Sequence, residues 1–450
     1  MKKVISKILA VALAAMMAVS MTACGGGSST AASTAGSTAA TSAAGGSAAL
    51  TFAWWGNQVR NERTQAALDL YTEQNPGITF DGQFSEWADY WTKLATASAA
   101  HNLPDLVQMD YKYLAQYVEN GLLLDLQPYV DNGTLDVSGI SESILDSGRI
   151  GDGLYAICIG VNAPAMLYNK TLLDEYGIKV KDNMTMDEFI ALSKEVYEKT
   201  GYKTDAGYGG GENFIDYTIR SQGQELCNND GTAFGVSSAE DFEPYFAIYE
   251  NGIKEGWMLG SEIYAERTVG TVEQSPLVYG SSPDTMSWCY FAYSNQLSAY
   301  QAAADASNIT IGLSTWPAQN PQLADYLKPG QFISATVDSK NPDEAVKLID
   351  WWTNSLECNQ VLLAERGIPA SATVAEELNP QLDEMTQKAS DFVNNVVAKN
   401  CSTISPAAPE SSTPLLDMYD QLQEAVCYGQ LSAKDAAAQL FEQGNAVLAG

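Results

Sequence analysis

Aromatic side chains stand where predicted strands end, each beside a hydrogen-bonding partner. Trp54 and Trp55 close the run Leu50-Thr51-Phe52-Ala53-Trp54-Trp55-Gly56, with Asn57 and Arg60 just beyond. Glu86 and Trp87 follow a run that starts at Ile78-Thr79-Phe80. Asp110 and Tyr111 follow Leu106-Val107-Gln108-Met109. Asn162 follows the apolar run 154–159, and Trp316 follows Ile309-Thr310-Ile311-Gly312-Leu313. In doubly wound sheets a ligand lies outside the carboxyl ends of the strands, so these positions are candidates for contact. Their chemistry is non-covalent: ring faces cover apolar surface, while Asn, Asp, Glu and Arg bond polar edges.

Each candidate also has a packing role open to it. Leu50, Phe52 and Trp54 share one strand face, so Trp54 equally suits a core. Trp87 lies four residues before Trp91 and can join that helix's buried stripe. Asp110 can simply cap the next helix, and Arg60 can be a solvated helix charge. Trp351 and Trp352 read as structural.

Other chemistries lack their residues. His101 is the single His, so a zinc site has no spacing to build on. Gly209-Gly210-Gly211 lacks the Gly-Lys-Ser/Thr ending of a phosphate loop, and no G-x-S-x-G elbow occurs. The 7 Cys include no C-x-x-C pair. A lone Cys in an apolar run, such as Cys158, reads as a small hydrophobe, and the disulfide state of the six Cys after Cys24 stays open. A surface glycoside hydrolase needs two carboxylates across a bond, but with 55 acids such pairs can be drawn anywhere. No cofactor or metal is expected, and no catalytic residue is assigned.

The 55 acids face only 24 Lys and Arg, a formal charge of −31. So acidic a chain repels phosphate backbones and anionic membrane surfaces, which argues against nucleic acid as a partner. At the N-terminus, Lys2, Lys3 and Lys7 precede an apolar run at 8–19. That pattern reads as a secretory signal. Met21-Thr22-Ala23-Cys24 resembles the lipobox of bacterial lipoproteins, with Met where Leu is commoner. Residues 1–23 are then a lipoprotein signal peptide and Cys24 is the lipidation site; the alternative is an ordinary signal cut nearby. Residues 25–49 contain only Gly, Ser, Thr and Ala and read as a flexible tether. No later segment is long and apolar enough to span a membrane, so an extracytoplasmic, lipid-anchored location follows.

The elements that must position the candidates alternate strand, helix, strand, helix, strand from Leu50 to Met109. That order predicts a parallel doubly wound α/β sheet. Thr185-Met186-Asp187-Glu188 is a capping-box pattern ahead of a helix face with Phe189, Leu192 and Val196. Asn341-Pro342-Asp343-Glu344 is another helix start, with Asn341 able to cap. The run 154–159, bounded by Gly153 and Gly160, reads as one short buried strand that carries the chain from a first lobe to a second. Ligand capture in the cleft between them follows from that reading.

Ten short pieces then occur in an order that resembles one family. They run from Trp54-Trp55-Gly56, Asn75-Pro76-Gly77-Ile78, Leu103-Pro104-Asp105-Leu106 and Gly121-Leu122-Leu123-Leu124-Asp125-Leu126 through Gly153-Leu154-Tyr155-Ala156-Ile157 and Leu167-Tyr168-Asn169-Lys170. They continue with Gly177-Ile178, Thr185-Met186-Asp187-Glu188-Phe189, Ser339-Lys340-Asn341-Pro342-Asp343-Glu344-Ala345 and Gly367-Ile368-Pro369-Ala370. Together they resemble the extracellular solute-binding proteins of bacterial ABC importers, in the large carbohydrate-binding branch that includes maltose-binding protein. The resemblance implies a periplasmic-binding-protein-like fold, two doubly wound lobes joined by a multi-strand hinge. Lobe one would hold 50–158 and 330–365; lobe two would hold 159–329 and 366–450. It implies a monomer that binds a mono- or oligosaccharide and hands it to ABC permease subunits. Trp288 and Tyr290 join the ligand-binding candidates on the family's guidance. The stretch 54–62 looks closest to relatives that bind plant-polysaccharide oligomers, oligogalacturonides among them. A uronate carboxylate would want a bidentate Arg, with Arg60 first in line. The competing classes are the glycoside hydrolase and a polysaccharide-binding adhesin; repeats would favour the adhesin, and none is found.

Overall fold

A computed structural model describes residues 47–450 apart from 229, 266, 268 and 408. The signal segment, Cys24 and most of the tether lie outside the described residues. The first strand, β1 (Ala48–Trp55), begins two residues before Leu50, inside the expected tether, because Ala48 and Ala49 already pair with Ile78 and Thr79. Helix α1 (Gln58–Gln74) follows, then β2 (Ile78–Ser85), α2 (Trp87–Ala99), β3 (Leu106–Met109) and α3 (Tyr111–Glu119). β1 lies parallel to both β2 and β3, as the alternating pattern predicts. Asp105 ties the strand starts together: its carboxylate accepts from Thr51 N and Oγ1 at 2.8 Å and from Ser339 Oγ at 2.6 Å.

The run 154–159 is not one strand. Gly153–Leu154 pairs with Arg149–Ile150 in a small hairpin, and the chain re-enters the main sheet as β4 (Ile157–Asn162). The break falls where Leu126 N takes the Leu154 carbonyl and Tyr155 N takes Gly148 O, which diverts the backbone from the sheet. β4 leads directly into β5 (Pro164–Asn169), the centre of a second sheet. Helices α4 (Met186–Thr200), α5 (Gly211–Arg220) and α6 (Glu243–Glu255) come next. They are followed by β6 (Cys289–Tyr293), α7 (Leu297–Asp305) and β7 (Ile311–Ser314). β5 lies antiparallel to β6 and to β7. The chain returns through β8 (Lys328–Ala335), which runs antiparallel between β3 and β4 and completes the first sheet in the order β2-β1-β3-β8-β4. It ends in α8 (Pro342–Asn354), α9 (Glu384–Asn395), α10 (Thr413–Cys427) and α11 (Ala433–Leu448).

Helix starts follow local chemistry. The capping box at α4 forms, with Thr185 Oγ1 accepting from Glu188 N and Glu188 accepting from Thr185 N. At α8, Pro342 takes the first turn as expected, but the Asn341 side chain makes no cap bond. The Asn341 backbone N–H donates to Ser339 Oγ at 3.2 Å.

Two large hydrophobic cores follow the two sheets. The first contains Phe52, Trp54, Leu106, Ile157, Phe332 and Trp352. The second contains Phe189, Phe214, Tyr245, Trp288 and Trp316 and is closed by α10 and α11. The expected division gives all of 366–450 to the second lobe. In the fold Ile368, Ala375, Phe392 and Val393 pack in the first core, and the second core resumes with the half-buried Ile404 and the buried Leu415. The cause is backbone pairing: Ala372 N bonds Gly139 O at 2.8 Å, and Ser371 bridges Ile140.

Three segments cross between the cores side by side. β4 pairs with β8, and Val161 exchanges both backbone hydrogen bonds with Ile368, at 2.7 and 3.0 Å. Each crossing brings a glycine to the meeting point. A Cβ on Gly160 would overlap the Arg366 carbonyl. One on Gly330 would lie 2.9 Å from that same oxygen, and Gly367 has φ +115°. The three chains approach this closely only because none carries a side chain there.

Candidate functional site

Strand ends double as helix starts, and this aims side chains into one cleft. Asn57 closes the turn after β1 and accepts from Arg60 N at 3.0 Å; Asp110 closes the turn after β3 and accepts from Lys112 N at 3.0 Å. These caps set α1 and α3 so that Arg60, Tyr111 and Lys112 face a cavity of about 890 Å³ between the two cores. The crossing segments supply its floor, including Asn162, Lys328, Gln331 and Arg366. The second sheet's side supplies Glu212, Tyr293 and Asn295, and Ile404, Ala407, Pro409, Ser412 and Leu416 form another wall.

The cations of the cleft differ sharply in how they are held. Arg60 Nε reaches both carboxylate oxygens of Glu365 at 3.0 and 2.9 Å, and Nη1 donates to Trp55 O at 3.2 Å. In the amide orientation that satisfies its neighbours, Gln331 accepts from Arg60 Nη1 and Nη2 at 2.9 and 3.0 Å. Arg366 is buried. It donates to Gln108 Oε1 at 3.0 Å and Thr64 Oγ1 at 2.7 Å, and lies 5.6 Å from the Trp352 ring centre. Burial pulls its guanidinium down to about 9, with Glu365 opposing that shift.

Lys328 Nζ sits 4.3 Å from the centre of the Tyr293 ring. Burial lowers its ammonium from the usual lysine range, while the charges of Asp110 and Glu212 raise it. Among the described residues no ion pair within 4.0 Å joins Lys328 to either acid. Burial pushes the Asp110 carboxyl up, against the Lys112 amide and the charges of Lys328 and Lys112. Burial and then Asp216 push Glu212 up.

Of the predicted contact residues, Arg60, Asp110, Tyr111 and Asn162 line this cleft. The tryptophans do not, and that expectation is corrected. Trp54 is fully buried, with Nε1 donating to Asn61 Oδ1 at 2.9 Å and its ring stacked on Phe84. Trp55 packs edge-on against Trp87, 4.9 Å between ring centres, and against Tyr90. Trp288 is in the second core, with Nε1 donating to Thr204 Oγ1 at 2.8 Å. Trp316 is packed in the same core among Phe214, Tyr217 and Phe291. Tyr290 stacks on Tyr300 beneath a third, smaller core. The physical reason is common to all five: at a two-layer interface an indole or phenol buries far more apolar area than a rim position could remove from water. Trp87 remains 42% exposed on the rim, outside the cleft lining, as do Asn57 and Glu86.

Sequence reasoning missed Lys328, Glu212, Tyr293, Glu365 and Arg366. Lys328 had a faint signal, a lone charge at the head of an apolar strand. Arg366 adjoins the Gly367-Ile368-Pro369 piece. Glu212 and Tyr293 had none, because they reach the cleft only through the packing of α5 and β6. Tyr111 Oη bonds Ser405 O at 3.1 Å, and Arg220 bonds Ser405 and Ser402, so the wall at 402–405 is pinned from both cores. Among the described residues no group of three His, Cys, Asp or Glu is placed to hold a metal. His101 is exposed in the turn after α2. The six Cys of the described body are unpaired. No helix among the described residues is long and apolar enough to cross a membrane. The site offers hydrogen-bond donors, acceptors and two phenol rings around a cavity of ligand size, the equipment of reversible capture.

The comparisons agree with this arrangement. A solved family 1 extracellular solute-binding protein from Alicyclobacillus acidocaldarius superposes with a TM-score of 0.80 at 26% identity, covering 90% of this chain and 99% of that one. A binding protein of Brucella abortus is 25% identical over 297 residues, 62% of this chain and 66% of that protein. A lactose-binding protein of Rhizobium radiobacter is 30% identical over 178 residues, 37% of this chain and 40% of that protein. The match thus spans just under two thirds of the Brucella relative's length and less of the Rhizobium one. Residues 55–355 match the model of the bacterial extracellular solute-binding protein family. With a match over so much of the chain, and with two cores joined by three crossing segments around one cleft, this protein belongs to the bacterial extracellular solute-binding protein family.

Proposed function

We propose that this protein captures a saccharide in the cleft between its two lobes and delivers it to an ABC permease, held at the membrane by a lipid on Cys24. The observation that carries the reading is the cleft itself. Its volume of about 890 Å³ suits a short oligosaccharide, and its lining mixes Asp, Glu, Asn and Lys with Tyr111 and Tyr293. A sugar ring presents hydroxyls for the first set and C–H faces for the second. The lactose-binding relative supports the same ligand class. Closure over the ligand is assigned to bending about the three crossing segments, each of which has a glycine where they meet.

The test is a thermal-shift screen of the purified full chain against a panel of neutral and acidic mono- and oligosaccharides. A ligand that binds the folded state raises Tm by mass action, about 2.7 kcal/mol of stabilisation at one hundred times Kd. At least one saccharide is expected to raise Tm in a concentration-dependent way; no stabilisation by any of them overturns the reading.

A further inference from the structure

After Val397 the chain leaves the first core and passes to the second, where Ile404 and then Leu415 pack. The passage is a strap, with no regular structure over residues 403–407. Ile404 and Ala407 line both the cleft of about 890 Å³ and a neighbouring cavity of about 650 Å³, so the strap borders two chambers of the interlobe space. Backbone pairing fixes only its root, where Ser402 N donates to Asp325 O at 2.9 Å. Beyond that point it is held by side chains from both lobes.

From the second lobe, Arg220 on α5 donates to Ser402 Oγ at 2.6 Å and to Ser405 Oγ at 3.0 Å, and Ser405 Oγ donates to Asp216 at 2.9 Å. From the first lobe, Tyr111 at the head of α3 donates to the Ser405 carbonyl at 3.1 Å. Burial pushes this phenol up to about 12, so it keeps the proton it donates. Its ring is stacked on Phe332 of β8, 6.2 Å between ring centres, which aims the hydroxyl. One residue thus joins two bodies: the Ser405 side chain is fixed to α5 and its carbonyl to α3. Bending of the lobes moves α3 relative to α5. The second lobe holds the strap by several bonds from a buried guanidinium and a carboxylate, the first lobe by the single Tyr111 bond, so the Tyr111 bond is the one that yields. A contact made in one arrangement and lost in the other biases the balance between them. We propose that the Tyr111–Ser405 hydrogen bond is an interlobe latch, which favours the closed arrangement of the ligand-free protein and releases as the lobes open, the strap staying with the second lobe. The latch rests on the lobe bending proposed above and is independent of which ligand is bound.

The test is small-angle X-ray scattering of the ligand-free full chain, whose radius of gyration rises as the lobes part. Tyr111→Phe keeps the ring and removes the donor. The ratio of open to closed protein is expected to grow roughly two- to tenfold, the worth of one net hydrogen bond, and the radius to rise with it. Ser405→Ala cuts the strap from Arg220 Nη1 and Asp216 and is expected to raise the radius in the same direction. The double variant is expected to shift the balance by less than the two single effects combined, because both substitutions cut one chain of contacts. The bending itself is read by adding a saccharide that stabilises the parent in the screen above, which should lower the radius. An unchanged radius in Tyr111→Phe, where the saccharide still lowers that of the parent, overturns the latch and leaves the bending intact. Effects that simply add in the double variant overturn the latch as well. A radius moved neither by the substitutions nor by the saccharide overturns the latch together with the bending.

Discussion

Replacing Gly160 by alanine puts a methyl group where the third crossing segment already runs. An added Cβ overlaps the Arg366 carbonyl oxygen and would lie 2.6 Å from its carbon and 3.1 Å from Gly367 N. All three atoms are backbone, so no side chain can swing aside. Relief must come from moving the segment, which strains or breaks the two hydrogen bonds between Val161 and Ile368. Overpacking of this kind costs roughly 1–3 kcal/mol. Two backbone hydrogen bonds contribute about 0.5–1.5 kcal/mol each. The stiffer unfolded chain returns about 0.4–1 kcal/mol. The expected loss is therefore roughly 2–5 kcal/mol. For roughly 400 ordered residues, whose unfolding entropy is near 0.8 kcal/mol/K, Tm should fall by about 2–6 °C. Differential scanning calorimetry reads this directly. The matched control is Gly151→Ala, where φ is +59° and no atom lies within 4 Å of the added carbon. It should lose only the roughly 1–2 kcal/mol of a left-handed alanine. Because Glu365 and Arg366 flank the displaced segment, ligand affinity should fall in Gly160→Ala and hold in Gly151→Ala. Equal Tm for Gly160→Ala and the parent would refute the argument that the three crossings touch backbone to backbone.

Two further outcomes are expected. Glu365→Gln leaves Arg60 without its carboxylate at a site where the two side chains are only 14% and 11% exposed. Loss of about 2–3 kcal/mol in urea denaturation is expected, less than the ~3–5 kcal/mol of a fully buried pair; a change under about 0.5 kcal/mol would count against the pair. Asp325 is buried, accepts from Tyr217 Oη at 2.7 Å, and its carboxyl is pushed up to about 7 by burial, with Arg220 opposing. The folded chain therefore keeps a proton that the unfolded chain releases near pH 4. Stability contributed by that proton is complete below the unfolded value and is lost as pH rises through about 7. The urea midpoint should drop between pH 5 and pH 8, and Asp325→Asn should flatten that slope; an identical slope in the variant would exclude Asp325 as its source.

Much of the architecture was legible without coordinates because it rests on short-range rules. The alternation from Leu50 to Met109 is visible in hydrophobic period and turn residues, and β1, β2 and β3 pair as that pattern requires. The capping box at Thr185 depends on four consecutive residues and forms as read. The cleft positions of Arg60, Asp110, Tyr111 and Asn162 follow from one topological rule about strand ends. The same rule placed Trp54, Trp55 and Trp316 wrongly, since it locates a backbone end and says nothing of which way a side chain turns.

What tertiary structure alone decided is which groups are already satisfied. Arg60 and Glu365 are separated by 305 positions, and Arg366 and Gln108 by 258, yet these contacts determine which cations remain for a ligand. Glu212 and Tyr293 reach Lys328's side of the cleft only because β6 and α5 pack on the second core. Local sequence sets φ, ψ and which face of an element is apolar. Charge pairing, by contrast, falls off steeply with distance in space and is indifferent to distance along the chain. The fold class was therefore written in the order of the elements, whereas the polarity of the binding cleft came into being only when the two lobes were joined by three crossing segments.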